Sequence, residues 1–177
     1  MPNYRRARVP GASYFFTVNL ADRTSRLLVE QVERLREAFR ETRRELPFRI
    51  EAIVVLPDHL HCIWTLPPGD ADFSVRWRHI KMRFSRGIAR GESISPSRAA
   101  KGERGIWQRR FWEHLIRDDA DYEAHVNYIH YNPVKHGHVE RVAAWPYSSF
   151  HRFTQQGFYP ADWGGGMEPR GRFRERN

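Results

Sequence analysis

The chain has 177 residues, of which 40% are apolar and 14% aromatic, and this composition is typical of one globular domain rather than a disordered chain. A single cysteine excludes an internal disulfide and no apolar run is long enough to span a bilayer, so we expect a cytoplasmic protein without a membrane partner. The 30 lysine and arginine residues exceed the 21 acidic ones, for a net charge of +9. Because arginine predominates and guanidinium groups pair with phosphates, the charge favours a nucleic-acid partner.

The first third of the chain predicts an arm, a strand and a helix. Residues 1–12 are basic and interrupted by proline and glycine, which is typical of an extended arm. Residues 13–20 have high β-propensity and predict the first strand. Apolar residues then recur at helical spacing over residues 28–46, and Pro47 ends this amphipathic helix.

A histidine pair follows the next strand pattern, which covers residues 49–56. His59 and His61 lie either on a second strand joined by a tight turn, or on one strand bent at Pro57. In both cases residues i and i+2 project from the same face, so two neutral imidazoles form half of a divalent-metal site. Cys62 points to the other face and is expected to be a small core residue.

A basic helix is predicted over residues 73–90, and residues 91–105 predict a mobile basic loop before a strand over 106–116. One face of the helix carries cations with no acid among them, so these cannot form a ladder of intrahelical salt bridges. We interpret this face as a surface that follows phosphates, although a merely solvated face remains the alternative. The predicted nucleic-acid contacts from the arm, the helix and the strand are Arg5, Arg6, Arg76, Arg78, Lys81, Arg83, Arg86, Arg109 and Arg110.

A final helix is predicted over residues 119–132, where acidic residues mark its start and Pro133 is expected to stop it. Tyr128 and Asn132 are four residues apart and therefore share one helix face. If this face packs beside the histidine strand, a phenol and an amide oxygen lie next to the metal. Tyr131 competes for the same role but lacks the four-residue spacing to Asn132.

Such a site suits phosphodiester cleavage. A divalent ion would neutralise charge on the phosphate oxygens, and the phenolate would attack to leave a covalent phosphotyrosine and a free hydroxyl. A phenol with a pKa of about 10 is a poor nucleophile at neutral pH, so positive charge or a base is required nearby. No ligand role is assigned to the other histidines of this region, which are His114, His125, His130, His136 and His138.

Two segments carry a resemblance to a known family. Leu56-Pro-Asp-His-Leu-His61 resembles the HUH motif (histidine, bulky hydrophobic, histidine), and residues 128–137, Tyr-Ile-His-Tyr-Asn-Pro-Val-Lys-His-Gly, resemble the tyrosine helix of REP-associated tyrosine transposases. Those proteins are domesticated relatives of HUH single-tyrosine transposases that act on single-stranded DNA. With further similar segments at residues 4–6, 10–20, 107–108 and 145–149, the resemblance covers about residues 4–150.

The resemblance implies an α/β (α+β) fold of the ferredoxin-like or RRM-like kind, with helices packed on an antiparallel sheet and the HUH motif on a central strand. It implies that His59 and His61 bind Mg²⁺ or Mn²⁺, with Asn132 as third ligand where mobile-element relatives more often have glutamine. Tyr128 would form a 5′-phosphotyrosine on single-stranded DNA hairpins of the REP type. Family members of this kind act as single subunits, which favours a monomer over a dimer.

The expected organisation is a basic arm at residues 1–12, a catalytic domain at 13–150 and a basic, flexible tail at 151–177. Two other functions fit parts of the sequence. A hairpin DNA- or RNA-binding protein derived from a transposase would keep the histidines only as structure. A metal-dependent hydrolase with water as the nucleophile would leave the Tyr-x-x-x-Asn helix without a role.

Overall fold

A four-stranded antiparallel sheet organises the protein. The structure, a computed structural model, describes residues 7–164. Strands β1 (Ser13–Asn19), β2 (Arg49–Val55), β3 (His59–Thr65) and β4 (Trp112–Leu115) lie in the order β2-β3-β1-β4. This is the strand order of a ferredoxin-like sheet, and the histidine pair lies on one of its two central strands. The predicted fold class is confirmed.

Helices follow β1, β3 and β4, whereas β2 leads directly into β3. The helices are α1 (Leu27–Glu30), α2 (Val32–Glu45), α3 (Phe73–Arg86), α4 (Pro96–Ala100), α5 (Asp119–Lys135) and α6 (Phe150–Gln155), with a 3₁₀ turn at Val142–Ala144. Within residues 7–164, none of these helices has the length and apolarity needed to cross a bilayer.

The two faces of the sheet carry different layers because side chains alternate along each strand. On one face, Trp64 of β3 stacks on Trp77 of α3 with ring centroids 4.3 Å apart, and it meets Phe39 of α2 at 6.1 Å. On the other face, His61 meets Tyr128 of α5 at 5.3 Å. Helices α2 and α3 therefore cover the aromatic face, and α5 covers the histidine face.

The histidine pair lies on a strand of its own, which settles the alternative left open by the sequence. Strands β2 and β3 form an antiparallel hairpin in which Leu56 N–H donates to the His59 carbonyl at 2.8 Å. The turn is fixed from outside, because Leu28 N–H donates to the Pro57 carbonyl and Leu20 N–H to the Asp58 carbonyl. As predicted, Cys62 is a buried free cysteine.

Helix α5 continues through Pro133 and ends at Lys135, so the predicted stop at residue 132 is wrong. Proline removes only one hydrogen-bond donor here, and the last turn is closed by other groups. Gly137, at φ 70°, donates to the Val134 carbonyl, and His138 donates to the Pro133 carbonyl. These two bonds form a Schellman motif, which satisfies the carbonyls that a helix end leaves unpaired.

The segment between α3 and α5 differs from its prediction. Helix α3 ends at Arg86 rather than at residue 90, and α4 interrupts the expected loop. Only Trp112–Leu115 of the predicted strand over residues 106–116 pairs as a strand with β1. Residues 106–108 instead bond to the end of β1, where Gln108 N–H donates to the Asn19 carbonyl at 3.0 Å.

The packed structure extends past residue 150, so the expected boundary of a flexible tail is wrong for residues 151–164. Tyr131, Val142 and Phe150 form a second apolar cluster, which Tyr159 and Trp163 complete. The rest of the predicted tail, the predicted contacts Arg5 and Arg6 and the first half of the predicted arm lie outside the described residues.

The buried His130 predicts acid sensitivity. It is 0% exposed, and its Nε2 lies 2.8 Å from Ser149 Oγ. Burial, aided by the charges of Arg152 and His151, lowers the pKa of His130 from 6.5 to about 3. Below pH 6.5 the unfolded chain therefore binds a proton that the folded state excludes, so stability falls as the pH falls towards 3.

We expect His130→Gln to reduce this pH dependence. Between pH 7 and pH 5 the wild type should lose ~2 kcal/mol of unfolding free energy through His130 alone, and the variant should lose that much less. Urea unfolding at the two pH values measures the difference. His79→Gln, at a partly exposed histidine beside Glu45, is the control and should keep the wild-type slope. An equal slope for His130→Gln and wild type would contradict the assignment.

Candidate active site

The two strand histidines are held by their Nδ1 atoms. His59 Nδ1 lies 2.8 Å from Asp58 Oδ1, and His61 Nδ1 lies 2.8 Å from Thr17 Oγ1 on β1. The rings are buried, with centroids 5.0 Å apart. A metal-binding imidazole commonly uses its second nitrogen in this way to fix ring orientation. Each ring would therefore offer Nε2 to an ion.

Asp58 is a positioning residue that the sequence analysis missed. Its second oxygen, Oδ2, lies 2.5 Å from Arg23 Nε. Partial burial tends to raise the pKa of Asp58, but hydrogen bonds from His59 and Arg23 outweigh this effect and hold it well below its ordinary value. The carboxylate is therefore ionised and orients His59. The position of Asp58 directly before His59 in the sequence was the signal from which this role could have been predicted.

One face of α5 lies against the histidine pair. Tyr128, Asn132 and His136 follow each other at intervals of four residues on this face. The Tyr128 ring centroid is 5.3 Å from that of His61, and the His136 centroid is 5.1 Å from that of His59. Asn132 lies between these two contacts. The structure thus packs Tyr128 against His61, the juxtaposition that the sequence predicted, and it adds His136 beside His59, with Asn132 on the same helix face.

Asn132 has an unusual environment for an amide. Its side chain is 0% exposed, and within residues 7–164 neither Oδ1 nor Nδ2 has a hydrogen-bond partner. Asn19 of β1 pairs with His59 of β3 in the sheet. Its Oδ1 is also buried and, among the described residues, has no hydrogen-bond partner. Buried amide oxygens without a partner are costly, so the face of the sheet beside His59 suits a cation or another polar group.

Tyr128 lies next to a positive charge. Lys135 Nζ is 3.3 Å from the Tyr128 hydroxyl and 4.8 Å from its ring centroid. A phenol that acts as a nucleophile would require such a charge nearby, and sequence spacing gave Lys135 no role. The competing Tyr131 packs instead against Val142 and Phe150 in the second apolar cluster. Of the two tyrosines, Tyr128 is the one beside the histidines.

A basic cleft opens on the opposite face of the sheet, between the outer side of α3 and the segment at residues 98–111. Lys81 Nζ donates to the Gln108 carbonyl at 2.9 Å and lies 5.8 Å from the Trp107 ring centroid. Cations beside aromatic rings suit phosphates and bases. The residues that define this basic cleft are Arg78, Lys81, Arg86, Arg90, Trp107, Arg109 and Phe111.

The basic cleft connects to the end of the strand that carries His59. Gln108, which receives the Lys81 contact, donates its N–H to the Asn19 carbonyl at 3.0 Å. Asn19 in turn is the β1 partner of His59. Lys81, Gln108, Asn19 and His59 thus form a continuous chain of contacts from one face of the sheet to the other.

Two of the predicted DNA contacts have structural roles and need correction. Arg76 is only 2% exposed, and its guanidinium binds the Asp70 carboxylate and the Pro47 and Asp72 carbonyls. Arg83 is directed towards α2, where it bonds Thr42 and the acids Glu41 and Glu45. These two cations of α3 have their acidic partners on other elements, which the sequence of the helix does not reveal.

The remaining predicted contacts of the described residues lie at the surface. Arg78, Arg86, Arg109 and Arg110 are exposed, and Lys81 is partly exposed. Arg109 pairs with Glu103 at 2.8 Å, a contact that solvent weakens. Arg110 does not line the basic cleft.

Comparison with known proteins decides the family. The family model described as "Transposase IS200 like" matches residues 9–132. The chain belongs to this family of IS200-like transposases. It is 52% identical over 165 residues to the REP-associated tyrosine transposase of Escherichia coli (strain K12), a match that covers 93% of this chain and 92% of that protein. A homologous protein from Haemophilus influenzae is 48% identical over 166 residues, with 93% and 94% coverage.

A solved structure of this transposase group has the same fold. It is described as a REP-associated tyrosine transposase bound to a REP hairpin, and it matches with a TM-score of 0.80 at 52% identity. The match covers 93% of this chain and 92% of that one. The predicted resemblance is confirmed.

The buried contacts of Arg76 predict that its loss affects stability. We expect Arg76→Ala to lower the unfolding free energy by about 2 kcal/mol, because the Asp70 carboxylate and two carbonyls lose their donor. Arg78→Ala, two residues away on the exposed side, should change it by less than about 0.5 kcal/mol. Urea unfolding of both variants makes the comparison. Equal stabilities would show that the Arg76 contacts are not structural.

Proposed function

We propose that the protein is a metal-dependent endonuclease and strand transferase that acts on single-stranded DNA hairpins of the REP type through a 5′-phosphotyrosine. The observation that carries the proposal is the contact between Tyr128 and the histidine face, with the Lys135 ammonium 3.3 Å from the tyrosine hydroxyl. The hairpin is proposed as the substrate because the solved relative with a TM-score of 0.80 is described as bound to one.

The residues fit a divalent cation. Two imidazoles oriented through Nδ1 and a buried amide without a hydrogen-bond partner provide two nitrogen ligands and one oxygen ligand. We propose that His59, His61 and Asn132 bind Mn²⁺ or Mg²⁺, and that the nitrogen ligands favour Mn²⁺, since Mg²⁺ prefers an oxygen shell. When bound, the ion polarises the phosphate and neutralises charge that develops on its oxygens.

The protein's own groups then account for the covalent step. The Tyr128 oxygen attacks the phosphorus in line, so a bond from this oxygen to phosphorus forms as the bond from phosphorus to the 3′ oxygen breaks. The phenol proton leaves to solvent and the departing 3′ oxygen takes one up, so no net proton is consumed. Lys135 donates a hydrogen bond to the tyrosine oxygen and stabilises its negative charge before attack. Attack by a 3′-hydroxyl reverses the step and rejoins DNA without ATP.

The two faces of the sheet suggest how a hairpin binds. We propose that phosphates of the stem contact Arg78, Arg86 and Lys81 in the basic cleft. A single-stranded extension of the hairpin would then pass Gln108 and Asn19 to reach His59, the first residue of β3.

Tyr128→Phe should abolish covalent adducts and leave hairpin binding within about threefold of wild type, because only the nucleophilic oxygen is lost. The measurement uses a labelled hairpin oligonucleotide with Mn²⁺, denaturing gels for adducts and native gels for binding. Tyr131→Phe is the matched control and should still form adducts.

Adducts formed by Tyr128→Phe at the wild-type level would remove Tyr128 from the mechanism. If the wild type cleaves the DNA without forming an adduct, water is the nucleophile and the protein is a hydrolase. Binding with neither cleavage nor adduct would indicate a hairpin-binding protein without catalytic activity.

Asp58→Asn should weaken the metal site. A neutral amide orients His59 less strongly than a carboxylate does, and loss of such a partner typically lowers metal affinity by about 10–100-fold. The Mn²⁺ concentration that gives half-maximal adduct formation should rise accordingly, and Mn²⁺ binding followed by electron paramagnetic resonance should weaken in parallel. Asp22→Asn is the control, because Asp22 is bound to Thr24 and should leave both values unchanged. Unchanged Mn²⁺ dependence in Asp58→Asn would argue against His59 as a ligand.

A further inference from the structure

A second cluster of metal-ligating side chains lies where α5 begins. His114 of β4 and Asp121 and His125 of α5 each offer one ligand atom, and these atoms all lie within 4.8 Å of one another. His114 Nε2 is 2.8 Å from Asp121 Oδ2, and His125 Nδ1 is 3.2 Å from Asp121 Oδ1. The carboxylate therefore already lies within 3.2 Å of one nitrogen of each imidazole. None of these residues has a role in the proposed reaction.

This cluster is separate from the HUH histidines. Phe15 of β1 lies between them, with its ring centroid 5.6 Å from that of His61 and 4.7 Å from that of His125. His114 is paired with Phe15 on the outer strand β4, whereas His61 is on the other side of β1, on β3. An ion at one group would not share ligands with an ion at the other.

We propose that His114, Asp121 and His125 form a second metal site, which takes a Zn²⁺-like transition-metal ion and joins the start of α5 to β4. Two imidazoles and one carboxylate are a frequent set of three protein ligands for zinc, with a fourth position left to water. Mg²⁺ and Ca²⁺ are unsuitable because they prefer oxygen ligands.

The side chains have to approach one another and the rings have to rotate to close around an ion, because the ligand atoms are spread over distances of up to 4.8 Å and the two rings are stacked with 16° between their planes. Zinc binds nitrogen and oxygen at ~2.0–2.2 Å, so neighbouring ligands of a tetrahedral site are ~3.4 Å apart. The two rings have centroids 4.6 Å apart, and His114 is the more mobile partner, because 25% of its side chain is exposed against 6% for His125. Metal binding through His125 Nδ1 would replace its present hydrogen bond to the Asp121 carbonyl.

The charge states of the cluster suit an ion. Burial lowers the pKa of His125, so the ring is neutral at pH 7 and no proton has to leave. Burial acts to raise the pKa of Asp121, but hydrogen bonds from His114 and from the Arg117 backbone lower it below its ordinary value. The exposed Arg117 side chain, 3.4 Å from the Asp121 carboxylate, is a cation that the ion would have to displace.

The site would act on the helix that carries the nucleophile. Tyr128 follows His125 by three residues, about one turn of α5. An ion held by β4 and α5 would therefore fasten this helix to the edge strand of the same chain. This consequence rests on the proposed function, whereas the metal site itself does not.

The test uses Co²⁺ as a spectroscopic probe in the His59→Gln/His61→Gln variant, so that the result does not depend on the HUH histidines. This variant should bind one equivalent of Co²⁺ with visible d–d absorption bands, which Zn²⁺ removes. Adding His114→Gln should abolish the bands, while adding His79→Gln, the matched control, should leave them unchanged. Absence of the bands in the double variant, or their persistence after His114→Gln, would overturn the proposal.

Thermal unfolding gives a second measurement that does not rely on cobalt. Saturating Zn²⁺ should raise the Tm of the double variant by about 5 °C, because an ion that binds only the folded state stabilises it. The triple variant with His114→Gln should show no rise, and circular dichroism checks that it is folded. An equal shift in both variants, or no shift in either, would contradict a site at this cluster.

Discussion

The packing of α5 against the histidine face of β3 is the contact on which the site depends. It places Tyr128 beside His61 and His136 beside His59, with Asn132 between them. The same packing buries both imidazole rings. One nitrogen of each ring therefore needs a hydrogen-bond partner within the protein, which is Asp58 for His59 and Thr17 for His61. Burial and orientation of the ligands thus have one cause. The contact also joins residues about 70 positions apart in the chain, so the site exists only when the domain is folded.

The sheet separates the chemistry from the basic surface. Its aromatic face packs on α3, as in the stacking of Trp64 on Trp77 at 4.3 Å, and the cations on the outer side of that helix are therefore on the far side from Tyr128. In the proposed mode of binding, a DNA strand would pass around the end of the sheet to reach both surfaces. The irregular segment at residues 106–108, which bonds to the end of β1, lies at that end of the sheet.

The arginine content has two different uses. Arg76 and Arg83 bind acids and carbonyls of the protein, and Arg104 binds the last carbonyls of α3 together with Glu92. Arg78 and Arg86 of the same helix face solvent. Helical periodicity places all four helix arginines on the polar side, but it does not show where the acids of α2 and of the loop before α3 approach. The net charge therefore overstates the number of cationic side chains that a nucleic acid can reach.

The fold class was expected from the resemblance of the sequence to a known family. Local periodicity by itself determined the shared face of His59 and His61 and the shared face of Tyr128 and Asn132, because these depend on the geometry of single strands and helices. It misjudged elements whose ends are set by distant contacts, such as α5 beyond Pro133 and the packed residues 151–164. Only the tertiary structure showed that Lys135 lies beside Tyr128, that Asp58 orients His59 and that His114, Asp121 and His125 meet. The lysine follows the tyrosine by about two turns of α5, and His114 lies on β4 whereas Asp121 and His125 lie on α5. Sequence spacing does not encode how side chains at such positions converge when the sheet and helices pack.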